Sequence, residues 1–108
     1  MTKSLRLVLT DHWFEEIKSG RKTSEYRKDT DYWAKRLRTY IDAVELMRID
    51  EDFWSEMKST VVFQKAYRKN PELMEFEIEN IIWHSSGIET DLKTEDAVFE
   101  IKLGRRLK

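Results

Sequence analysis

Residues 11–28 read DHWFEEIKSGRKTSEYRK, and the period of this stretch changes once. Trp13, Phe14 and Ile17 recur at helical spacing, with Glu15 and Glu16 in the early turns and Lys18 near the end. Thr10 or Asp11 can cap the start, and Gly20 suits the left-handed position that closes a helix. From Thr23 to Lys28 the chain reads as a strand. Period-2 geometry puts Thr23, Glu25 and Arg27 on one face, with Ser24 and Tyr26 on the other. Lys22 falls in the turn, so alternation assigns it no side. A helix that runs directly into a strand excludes an all-helical bundle.

The flanks extend this pattern. Leu5, Leu7 and Leu9 alternate with Arg6 and Val8, which marks a preceding strand. After Asp31, Trp33, Leu37, Tyr40, Ile41, Val44 and Met47 recur at three- and four-residue steps, an amphipathic helix. Phe53, Trp54 and Met57 suggest another short helical turn beyond the acidic junction Asp50, Glu51 and Asp52. Thr60 to Ala66 is β-branched and aromatic. Met74, Phe76 and Ile78 alternate with Glu75, Glu77 and Glu79, which predicts one dry face and one solvated face. Ile81, Ile82 and Trp83 extend that strand, and Phe99, Ile101 and Leu103 form a last one. About five strands and two or three helices without a βαβ rhythm predict an α+β domain. The expected form is a small, mostly antiparallel sheet or barrel with helices over its openings.

Composition bounds the rest. At 108 residues the chain, 1–108, is expected to be a single domain. Four Trp, four Tyr and five Phe can form a core inside a shell that is 38% charged. No cysteine is present, which excludes thiolate catalysis, a disulfide framework and Cys-based metal sites. His12 and His84 lack metal-pair spacing, so no metal site and no cofactor is expected. No apolar run is long enough for a membrane span, and no signal peptide opens the chain, so a cytoplasmic protein is expected.

Net charge is −1, yet Lys18 to Lys28 holds five cations and one anion in eleven residues. That local excess suits a phosphate-bearing ligand. Glu25 and Arg27 as a same-face surface pair is the plainer alternative. Tyr67 ends a strand and precedes Arg68 and Lys69, so its ring can stack on a base with cations nearby. Lys65 can turn toward the same place or toward solvent. Trp13, Trp33 and Trp54 sit on helical stripes and read as core rather than as base-stacking platforms, and His84, at a strand end, reads as structural rather than as a general base.

The run Gly20-Arg21-Lys22-Thr23-Ser24-Glu25-Tyr26-Arg27 resembles the G-x-K-x-x-E-x-R motif of the ASCH domain, a PUA-like β-barrel family. The helix ending Lys18-Ser19-Gly20 looks like that family's opening. Tyr32-Trp33-Ala34-Lys35-Arg36-Leu37 and Val62-Phe63-Gln64-Lys65-Ala66-Tyr67 are similar to segments of a prokaryotic and phage-type branch. Phe99-Glu100-Ile101-Lys102-Leu103-Gly104 looks like its closing strand. The resemblance implies a PUA-like barrel and a cleft that binds RNA or a modified nucleotide. Lys22, Glu25 and Arg27 would face that cleft, with Arg21, Thr23, Lys65 and Tyr67 as further ligand-binding candidates. Some ASCH-like proteins remove the acetyl group of N4-acetylcytidine, and others are ribonucleases. Lys22 and Glu25 would then be the catalytic pair. In the amidohydrolase branch a Thr nucleophile occupies the place that Glu25 holds here. Thr23 lies two residues away, about 6–7 Å along the strand, too far to replace it. An acid–base role requires Lys22 and Glu25 to be buried and within about 4 Å of each other. A third alternative is a protein-interaction module, with an exposed apolar patch along Trp33, Leu37, Ile41 and Val44 in the 31–58 helical segment.

Overall fold

The computed structural model describes residues 3–49, 59–85 and 92–108. Strand β1 (Lys3–Leu9) leads into helix α1 (Asp11–Lys18), strand β2 (Ser24–Lys28) and helix α2 (Asp31–Ile49). Strands β3 (Ser59–Lys65), β4 (Leu73–His84) and β5 (Val98–Arg106) follow. The helical turn expected around Phe53, Trp54 and Met57 lies outside the described residues.

Both helices start, and α1 stops, where local chemistry directs. The Thr10 carbonyl accepts the Phe14 N–H at 3.0 Å, although the Thr10 side chain makes no cap bond. Gly20 adopts φ +85 beyond the end of α1, a conformation that disfavours any side chain. The Thr30 hydroxyl accepts the Trp33 N–H at 3.2 Å and caps α2.

The five strands form one mixed sheet in the order β1-β3-β4-β5-β2. β1 and β3 run parallel, because α1, β2 and α2 intervene and return the chain in the same direction. The β2–β5, β3–β4 and β4–β5 pairs are antiparallel. Three of the four pairings are thus antiparallel, and the parallel β1–β3 pair makes the sheet mixed. Register shifts between Phe76 and Ile78, and between Ile78 and Asn80, bend β4 and curl the sheet. The result is a half-barrel whose outer strands, β1 and β2, both reach α2.

The inner face carries the core. Leu5, Leu7, Val61, Phe63, Met74, Ile78 and Ile101 pack against Phe14 and Ile17 of α1 and Leu37 and Val44 of α2. Trp33 and Ile41 pack against the same cluster. The apolar face of α2 therefore points inward, and the exposed patch that a protein-interaction module required is covered within the described residues. Among those residues no helix is long and apolar enough to cross a membrane.

The Glu75, Glu77, Glu79 row is not a simple solvated face. Glu75 accepts the Thr60 hydroxyl at 2.6 Å, and Thr60 in turn shares a 2.8 Å hydrogen bond with Ser4. Glu77 pairs with Arg105 at 3.2 Å. Glu75 and Glu77 are covered because neighbouring strands place hydroxyls and cations opposite them on the convex face, whereas Glu79 stays exposed.

Candidate functional site

The α1–β2 junction gathers three of the motif residues. The Lys22 N–H donates to the Glu16 carbonyl at 3.0 Å, which turns the chain back under α1. Lys22 Nζ then lies 2.9 Å from Glu25 Oε1 and 4.5 Å from the centre of the Trp13 ring. Arg27 reaches Glu25 Oε2 at 2.7 Å and also donates to the Tyr26 carbonyl at 3.0 Å. The Tyr26 N–H adds a 3.2 Å bond to Glu25 Oε1. Only 4% of the Glu25 side chain is exposed, against 10% for Lys22 and 18% for Arg27. Burial of a carboxylate is expensive without such partners, and both of its oxygens are engaged by cations.

Arg27 carries this buried triad out to a cleft. Its guanidinium carbon is 5.2 Å from the centre of the Trp33 ring, as is that of Arg36. Arg6, Leu7 and Val8 of β1, Arg27 of β2, Tyr32, Trp33 and Arg36 of α2, and Tyr67 enclose about 300 Å³. Among the described residues no carboxylate lines this space. Arg6 donates to the Gln64 side-chain carbonyl at 3.1 and 2.6 Å. Arg36 donates to the Tyr32 hydroxyl at 3.1 Å and to the Arg6 carbonyl at 2.7 Å. The latter bond, with one from the Tyr40 hydroxyl to the Ser4 carbonyl at 2.9 Å, covers the open edge of β1. The same contact seats the Arg36 guanidinium against the β1 backbone at Arg6, whose own guanidinium is turned to Gln64. Ala66 and Asn70 adopt positive φ in the β3–β4 turn, and Tyr67 stands out from it 88% exposed. A non-glycine residue at such a φ is strained, and two bonds hold Ala66, its N–H donating to the Leu9 carbonyl and its carbonyl accepting from Gln64, while the neighbouring Lys65 N–H donates to the Glu72 carbonyl.

The sequence candidates are thus divided. Lys22, Glu25 and Arg27 converge, but Arg27 alone of the three reaches the cleft, and Lys22 and Glu25 stand behind it. Tyr67 lines the cleft. Arg21 is turned to Glu16 at 2.9 Å, and Thr23 is exposed, with its carbonyl accepting the Leu103 N–H. Lys65 bonds Glu15 at 2.6 Å, away from the cleft, and that contact raises the Lys65 pKa and lowers that of Glu15. Sequence reasoning names none of Arg6, Tyr32 and Arg36 for the site, and it favours core over a base-stacking platform for Trp33. One signal was present: Tyr32, Trp33 and Arg36 stand at three- and four-residue spacing on one helix face.

A second polar cluster occupies the convex face. Ser24 donates to Glu100 Oε2 at 2.6 Å, and His84 Nε2 lies 2.9 Å from Glu100 Oε1. Burial alone raises the Glu100 pKa, but the Ser24 and His84 hydrogen bonds and the His84 and Lys102 charges bring it below the ordinary value. The carboxylate, not the imidazole, contacts the serine, so the order is wrong for nucleophile activation. The cluster ties β2, β5 and β4 together. Among the described residues no group of three His, Asp or Glu is placed to hold a metal ion. Compared with protein families, curated proteins and solved structures, the chain matches none of them.

Proposed function

We propose that the chain is an ASCH-type module on a PUA-like half-barrel that binds RNA or a nucleotide in the cleft between β1, β2 and α2. One observation carries this reading. Three arginines from three separate elements line one cleft with three aromatic residues, two of the guanidiniums lie against the Trp33 ring, and among the described residues no carboxylate lines the space, in a chain of net charge −1. Guanidinium forks match phosphate oxygens, and aromatic rings stack on bases of any identity. The buried Lys22–Glu25–Arg27 triad fixes the angle at which Arg27 enters. Anisotropy of a labelled single-stranded oligoribonucleotide tests it. Binding should weaken with added salt and by about tenfold or more in Arg36→Gln. Binding indifferent to both sends the function elsewhere.

The hydrolase alternative has one supporting observation, the enclosed 2.9 Å contact of Lys22 and Glu25. Because Arg27 and the Tyr26 N–H hold the same carboxylate, Glu25 is better suited to positioning its neighbours than to taking a substrate proton. N4-acetylcytidine and single-stranded RNA should remain intact on incubation with the protein. Turnover that disappears in Glu25→Gln would restore the catalytic role.

A further inference from the structure

We infer that the cleft takes one nucleotide unit, free or at a chain end, with its phosphate between Arg6 and Arg36 and its base against Tyr67. This rests on the nucleotide-binding reading above and gives it a ligand size and a division of labour. The first observation is the partners of the three arginines. Arg27 is already ion-paired at 2.7 Å with Glu25, a carboxylate that it shares with Lys22. Arg6 and Arg36 are held by neutral oxygens, those of Gln64, Tyr32 and the Arg6 carbonyl. Their charge is available to an incoming anion without breaking an ion pair. Arg27 therefore shapes the wall against Trp33, and Arg6 and Arg36 supply the attraction.

The second observation is a smaller hollow of about 180 Å³ that adjoins the cleft and shares Val8 and Tyr67 with it. Leu9, Thr10 and Ala66 complete its lining, so among the described residues no charged side chain lines it. A cationic hollow and an uncharged one, with a tyrosine ring common to both, match the two ends of a nucleotide. The third observation limits the length. Beyond Tyr67 three of the cations are held by carboxylates, Arg68 by Asp11 at 2.7 Å, Lys65 by Glu15 at 2.6 Å and Lys18 by Glu72 at 2.6 Å, which leaves Lys69 as the exposed exception. A polymer leaving the cleft on that side meets paired charges rather than the continuous basic groove that tracks a strand.

Calorimetric titration of the full chain with a 5′-ribonucleoside monophosphate, a single-stranded hexaribonucleotide and inorganic phosphate tests this. The mononucleotide and the hexamer should bind within about threefold of each other. The logarithm of hexamer affinity should fall with the logarithm of salt at a slope of about −0.7 to −1.4, for one or two phosphates. Arg6→Gln and Arg36→Gln should flatten that slope, and Arg27→Gln should weaken binding without changing it. Tyr67→Ala should weaken the mononucleotide but not inorganic phosphate. A hexamer preference above tenfold with a slope steeper than about −2.8 would overturn the single-unit site. So would a slope that depends on Arg27 and not on Arg36, or a Tyr67→Ala effect equal for phosphate and nucleotide. No binding of hexamer or mononucleotide would instead remove the nucleotide-binding function itself.

Discussion

Glu25→Gln is the sharpest perturbation of the junction. The substitution preserves shape, so it opens no cavity and isolates the charge. Glutamine offers one carbonyl oxygen and one NH2 group where glutamate offers two acceptors. Whichever way the amide turns, its NH2 faces a donor, either Lys22 Nζ or the Arg27 guanidinium. Two largely enclosed cations also lose their counter-charge. Removing one partner of a buried ion pair costs about 3–5 kcal/mol. Arg27 retains Trp33 and the Tyr26 carbonyl and keeps some solvent contact, so the lower end, about 3 kcal/mol, is expected here. For a domain near 100 residues that lowers Tm by roughly 12 °C or more. Urea denaturation and calorimetry read both quantities. A double-mutant cycle with Lys22→Met should return a coupling energy well above that of an exposed pair. A loss below about 1 kcal/mol, the range of a solvated surface pair, would refute the buried-triad reasoning.

Gly20→Ala should cost about 1–2 kcal/mol, because φ +85 is unfavourable for a side chain although no atom lies within 4 Å of the added Cβ. An unchanged urea midpoint would contradict that origin. Glu100 has a lowered pKa when folded, so its stabilising contribution is full above its unfolded value near 4.5 and disappears as pH falls through the folded value. Stability should therefore fall on acidification below about pH 4.5, and Glu100→Gln should reduce that dependence; an identical acid profile in the variant would argue against it.

Much of the fold was legible because its signals are local. Gly20 separates a 3.6-residue period from a 2-residue one, and the structure places α1 and β2 on either side of it. The same alternation put Glu25 and Arg27 on one face, where they pair. Lys22 was beyond such reasoning, since its direction depends on a turn bond to the Glu16 carbonyl. Strand order and register were also hidden. Glu75 reads as solvated from its own strand, and only the β1–β3–β4 register brings Thr60 and Ser4 to it. The cleft was the least legible feature. Arg6 and Arg36 are 30 residues apart and meet only because the sheet curls and α2 lies along the edge of β1.

Arg6 and Arg36 as the phosphate grip is the claim on which the functional account depends. Titrating the isotopically labelled chain with a 5′-ribonucleoside monophosphate, and following side-chain Nε–H and indole resonances by NMR, tests it most directly. The largest shifts should fall on the Arg6 and Arg36 side chains and the Trp33 indole, with the Ser24–Glu100–His84 cluster on the convex face unmoved. Shifts centred on that cluster with Arg6 and Arg36 silent, or no shifts at millimolar nucleotide, would contradict it.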